Sequence, residues 1–122
     1  MKAAISDYLE NALINALLRG TNYISSSAVA LFTSSRTDAG TRTEVNGGAY
    51  ARKVITFCAP SDGVAVSSAD VLFPVATASW GTITHIGIYD ALTGGNLLFL
   101  GVLTNSKTIV DDQFKIAAGV VI

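Results

Sequence analysis

Two hydrophobic rhythms divide the chain. Before Gly20, the residues Ile5, Tyr8, Leu9, Ala12, Leu13, Ala16 and Leu17 recur at the i, i+3, i+4, i+7 spacing of one helical face, which predicts an α-helix over about residues 3–19. Asp7 and Glu10 near its start and Arg19 near its end carry the signs that the helix dipole favours. Gly20 supplies the residue best able to close a helix in the left-handed conformation. Ile14 and Leu18 widen the apolar stripe beyond one face, so the helix is expected to pack on its own sheet; core packing is the favoured reading of the wide stripe, and contact of its other side with a neighbour the alternative.

After Gly20 the period shortens to that of β-strands, in runs punctuated by Gly, Ser, Asn and Asp. The expected strands are 27–34, 49–57, 70–77, 81–90 and 96–104, then 107–110 with 114–122, and a short edge strand at 63–67. This pattern predicts a mainly β fold, an antiparallel β-sandwich or jelly-roll-like barrel over about residues 27–122, with the one N-terminal helix. No internal repeat or linker divides the chain, so residues 1–122 read as a single domain. Pro74 cannot donate to a ladder, so its strand is an edge or holds a bulge. The segment 34–48 reads as one long polar loop carrying Arg36, Asp38, Arg42 and Glu44, and a loop of that length is equally a solvated loop or a contact arm that orders against a partner.

Composition adds a second argument for partners. Only 14% of the residues are charged, against about 25% in a typical soluble domain. A surface so poor in charge is expected to be covered in part by other subunits. The net charge of −1 and the absence of a basic stripe argue against nucleic acid. The N-terminal segment lacks the continuous apolar core of a signal peptide or a membrane span, which fits a soluble protein made in a reducing compartment.

The rarest side chains do not assemble into a reactive centre. Strict alternation along 80–89 places His85 with Ile83, Gly87 and Tyr89, and places Trp80 with Thr82, Thr84, Ile86 and Ile88 on the other face. No serine stands in a nucleophile-elbow setting, so His85 reads as a packing or interface residue. Cys58 is the one cysteine and reads as a small strand residue within "ITFCAP". The pair Asp111 and Asp112 reads as a turn, the glycines of "NGG" and "TGG" as turn glycines, and no metal or cofactor motif is found.

The segments "TEVNGGAYAR" (43–52) and "WGTITHIGIYDALTGGNLL" (80–98) carry a resemblance that runs from Tyr8 to Ile122. Together with "YLENALINALLRG" and "VALFTSS", they resemble small virion proteins of tailed bacteriophages, labelled tail-fibre-like or minor structural proteins. The resemblance implies a structural protein of the particle, assembled in the bacterial host cytoplasm, and not an enzyme. Two placements follow from it. One is a capsid cement or decoration protein bound to the major capsid protein lattice; the other is a tail-fibre or receptor-binding module. The missing shaft and tip favour the cement reading here, with other virion proteins as partners and a homo-oligomer, dimer or trimer, at symmetric lattice positions. The contact candidates are Ile14 and Leu18 on the helix and Arg36, Asp38, Arg42 and Glu44 in the long loop. A sugar-binding module would instead stack its ligand on Trp80 and Tyr89.

Overall fold

The computed structural model describes residues 3–20, 27–36 and 42–119. It opens with a strand, β1 (Ala3–Ile5), and the helix α1 (Asp7–Arg19) begins only after it. The sequence expectation of a helix from residue 3 is corrected there, because Ile5 satisfies both periods and its backbone finds a partner strand. Ser6 then caps α1: its extended backbone halts the strand, its hydroxyl accepts from the Leu9 N–H at 3.1 Å, and it donates to the Leu97 carbonyl at 2.6 Å. At the other end Gly20 adopts the left-handed conformation (φ 71°) and donates to the Asn15 carbonyl.

Seven further strands follow: β2 (Ala28–Arg36), β3 (Arg42–Glu44), β4 (Lys53–Val54), β5 (Val71–Val75), β6 (Gly81–Tyr89), β7 (Leu97–Ile109) and β8 (Gln113–Ile116). A large antiparallel sheet runs β1-β7-β6-β2-β3, with β4 also paired to β2, and β5 and β8 form a second, two-stranded sheet. Val29, Leu31, Ile83, Ile86 and Ile109 of the large sheet meet Val71, Phe73, Phe114 and Ile116 of the small one, giving a sandwich-like core. Each such fully buried side chain stabilises the fold by roughly 1.5–3 kcal/mol.

Several boundaries differ from the sequence expectation. The segment 34–48 is not one loop, because β2 runs to Arg36 and β3 pairs back on it with Arg36 opposite Arg42. The expected strand 49–57 shrinks to Lys53–Val54, since Ala49 takes φ 68° and turns the chain out of an extended path. The two runs 96–104 and 107–110 fuse into the 13-residue β7. The last strand ends at Ile116, short of the expected 114–122, and residues 120–122 lie outside the described set. The 63–67 segment contributes isolated bridges, Ser61 to Val64 and Phe57 to Ser67.

Other expectations hold. Among the described residues β5, which contains Pro74, pairs with β8 alone, and its register slips between Leu72 and Val75. The Gln113 side chain donates to the Phe73 carbonyl at 2.8 Å next to that irregularity. The "DALTGG" segment turns β6 into β7, and 110–112 turns β7 toward β8.

The strict alternation expected of β6 fails at Thr84. Phe32 pairs with His85 and Thr33 with Ile83, so β6 spends two residues where β2 spends one. The bulge changes the facing of Ile83, the residue just before it. Ile83 therefore joins Ile86 in the core, and is not on the His85 face as alternation implied.

Candidate functional site

The two segments that carry the family resemblance meet in space, and Arg52 joins them. Its Nε and Nη2 grip the Glu44 carboxylate in a fork, at 2.8 and 2.9 Å. Its Nη1 donates to the carbonyls of Ala91 (3.1 Å) and Gly94 (2.7 Å) in the β6–β7 turn. The guanidinium lies over the Tyr89 ring, 3.8 Å from its centroid. One side chain thus holds β3, the chain before β4, and the hairpin turn in a fixed relation.

Tyr50 extends the clamp into the core. Its hydroxyl donates to Glu44 at 2.7 Å and accepts from the Leu31 N–H at 3.0 Å. On that side of β2, Leu31 lies between the stretch paired with β3 and the stretch paired with β4. The phenol therefore supplies the acceptor that a continuous neighbouring strand would have given. The Tyr50 ring stacks on Phe73 and meets Trp80 edge-on, with a centroid distance of 5.5 Å to the latter.

Trp80 in turn donates from Nε1 to the Gly48 carbonyl at 2.8 Å. Gly48 sits at φ 58°, and a Cβ there would stand 2.9 Å from the indole nitrogen, so this turn needs glycine on both counts. The hairpin turn is similarly set: Asp90 accepts from the Asn96 backbone at 2.7 Å, and a Cβ on Gly95 would reach within 2.5 Å of that carboxylate.

The electrostatics suit a lock and not a catalyst. Burial raises the Glu44 carboxyl, but the hydrogen bonds from Arg52 and Tyr50 and the Arg52 charge outweigh it, leaving its pKa below the ordinary value. Burial first, and the bond to Glu44 second, push the Tyr50 phenol far above its ordinary range. The hydrogen bonds to Glu44 raise Arg52 further. A carboxylate held ionised, a phenol held neutral and an engaged guanidinium leave no group poised to exchange a proton near neutral pH. Beside the clamp, Asn46, Thr93 and Gly94 border a shallow depression of about 490 Å³.

The contact candidates separate into three situations. Ile14 and Leu18 stand on the outward side of α1, 54% and 81% exposed, and Leu17 joins them at 81%. Glu44 is engaged inside the clamp, with a side chain 26% exposed. Arg36 and Arg42 sit opposite each other on β2 and β3, while Asp38 lies outside the described residues. Tyr50 and Arg52 were missed from sequence. The one available signal was their i, i+2 spacing, which puts both on one side of an extended chain after an acid, in a protein with few charges.

Trp80 is buried and the Tyr89 ring is faced by Arg52, so neither presents an open stacking surface for a sugar. His85 is half-buried and shares a 2.7 Å hydrogen bond with the Thr84 hydroxyl. Cys58 is exposed at the rim of an apolar groove of about 410 Å³ between α1 and the sheet, lined by Leu9, Leu13, Phe57, Ile88 and Phe99. Among the described residues no group of three His, Cys, Asp or Glu could hold a metal ion, and no helix is long and apolar enough to cross a membrane.

No curated protein matches the chain. A family model described as "Podophage GP4 fiber I protein gp80" matches residues 4–122. That match takes in all but the first residue of β1, then α1, β2 to β8 and both halves of the Arg52 clamp, and on it the chain belongs to the Gp80 family of phage fibre proteins.

Proposed function

We propose that this protein is a building block of a phage tail fibre, held to other virion proteins through the outward side of α1 and the segment 36–42 that joins β2 to β3. The observation that carries the reading is the family match along residues 4–122, whose description is that of a fibre protein. It favours the tail placement over the capsid cement placement expected from the sequence. As a member of that family the protein is structural and not an enzyme. Ile14 and Leu18 are the apolar contacts in this reading, and Arg36, Asp38 and Arg42 the charged ones that set register. Glu44 acts indirectly, by fixing the hairpin through Arg52. Weak contacts suffice, because copies held in one particle meet at high effective concentration.

The test is fractionation of particles disrupted into heads and tails, followed by peptide mass spectrometry. The protein is expected with the tails. Recovery with tail-free heads would return it to the capsid lattice.

A further inference from the structure

Asn46 and Gly47 are both exposed on the turn that leads from β3 to Tyr50, and Asn46 borders the same shallow depression as Glu44, Tyr50 and Arg52. Among the described residues, neither the Asn46 carboxamide nor the Gly47 N–H makes a hydrogen bond. A Cβ on Gly47 would meet nothing within 4 Å, so the space around this residue is open. We infer that Asn46 is a site of spontaneous deamidation, and that its isoaspartyl product loosens the turn that holds Trp80.

The reaction needs no partner but water. The Gly47 nitrogen, once it sheds its proton, attacks Cγ of Asn46. The new N–Cγ bond closes a five-membered imide as the Cγ–Nδ2 bond breaks and ammonia leaves. Glycine after the asparagine removes the Cβ that would hinder this approach. Water then opens the ring at either carbonyl. Cleavage of the N–Cγ bond leaves aspartate on the original backbone. Cleavage on the main-chain side leaves an isoaspartyl link, with one more carbon in the path of the chain. One water is consumed and one ammonia released, and nothing is oxidised or reduced.

The fold separates Asn46 from the other described asparagines. Asn11 and Asn15 lie in α1 and Asn105 lies inside β7, where the backbone is held. Asn96 gives both its own N–H and its carboxamide to Asp90, at 2.7 and 3.2 Å. The turn at Asn46 is also pinned on either side of the reacting pair. Val45 donates to the Leu31 carbonyl at 3.0 Å, and the Gly48 carbonyl accepts from both the Thr77 N–H (3.0 Å) and Trp80 Nε1 (2.8 Å). Between and after these anchors Gly47, Gly48 and Ala49 take φ of 84°, 58° and 68° in succession, a path with little slack. An extra backbone carbon at position 46 displaces the Gly48 carbonyl from its two donors. The aspartyl product keeps the path and only sets a second carboxylate near Glu44.

Two measurements on the folded full chain test it, and neither depends on where the protein sits in a virion. In the first, protein held in mildly alkaline buffer is digested with trypsin, which cuts after Arg42 and Arg52 and frees residues 43–52 as one peptide. Mass spectrometry against an unaged sample is expected to show Asn46 converting about tenfold faster than Asn96 or Asn105, whose backbones are held away from the attacking geometry. The conversion is expected to quicken as the pH is raised and to vanish in Asn46→Gln, where a larger ring would have to close. Conversion no faster than at Asn96, no rise with pH, or persistence in Asn46→Gln overturns the site. In the second, the aged protein, its isoaspartyl content read with a protein isoaspartyl methyltransferase, is compared with the parent and with Asn46→Asp. Trp80 emission is expected to shift to the red, and acrylamide to quench it more readily, in proportion to the isoaspartyl content and not in Asn46→Asp. Unchanged emission and quenching in the isoaspartyl protein overturns the effect on the turn, and an equal change in Asn46→Asp assigns it to the charge and overturns the backbone argument.

Discussion

Arg52 commits all three guanidinium nitrogens to partners from separate stretches of the chain: Glu44 on β3, and the Ala91 and Gly94 carbonyls in the hairpin turn. Lysine offers a point charge and cannot reproduce the fork, so Arg52→Lys is not conservative here. Removing the guanidinium with Arg52→Ala strips Glu44 of its counter-charge and leaves two carbonyls without their donor. The expected loss is about 2 kcal/mol in urea unfolding. The same pair shapes the acid limb. The folded pKa of Glu44 lies below its unfolded value of about 4.3, so its contribution is complete above that value and lost as the pH falls through the folded one. The acid limb is expected to be shallower in Arg52→Ala than in the parent protein, and equal limbs would remove Glu44 from the account. None of this was legible beforehand, since partners at 44, 52, 91 and 94 are joined by the fold and not by spacing.

Elements were readable where one period ruled, and misread where two competed. The centre of α1, the β6–β7 hairpin and the edge character of β5 follow from local pattern, and the structure contains them. The first residues failed because Ala3, Ala4 and Ile5 fit a helix as well as a strand, and pairing with Phe99, Leu100 and Gly101 decided the matter. The facing of Ile83 failed because a bulge is one extra residue with no signature of its own among Thr, Ile and Thr. Ser6 shows how the competition is resolved, since it closes the strand with one bond and opens the helix with another. Ser6→Ala is expected to cost about 1 kcal/mol. Hydrogen exchange should show faster exchange in the first turn of α1 and little change in β2 or β6; uniform change would mean that the cap supports more than the helix.

At the scale of the molecule, the two sheets close on one aromatic and aliphatic core, and the sequence announced that architecture through its β-rich runs. The core also holds the single tryptophan. Trp80 is 4% exposed, so its fluorescence is expected to be blue-shifted and resistant to acrylamide in the folded protein, with a red shift that coincides with loss of the β-sheet spectrum on unfolding. Ready quenching of the folded protein would contradict the packing of Trp80 on Tyr50 and Gly48. The outward side of α1 contrasts with this closed core, and the low charge content anticipated such an apolar surface without saying where it would lie.

The side of β2 that faces β3, the Tyr50 hydroxyl and β4 has a further consequence. The strands there are three and two residues long and are separated by a phenol, so they offer no long straight row of backbone groups. A long unpaired strand border risks templating strand upon strand into a cross-β fibril. An interrupted border of this kind resists that growth, and what it offers a neighbouring protein is side-chain contacts, which can be limited in number and direction.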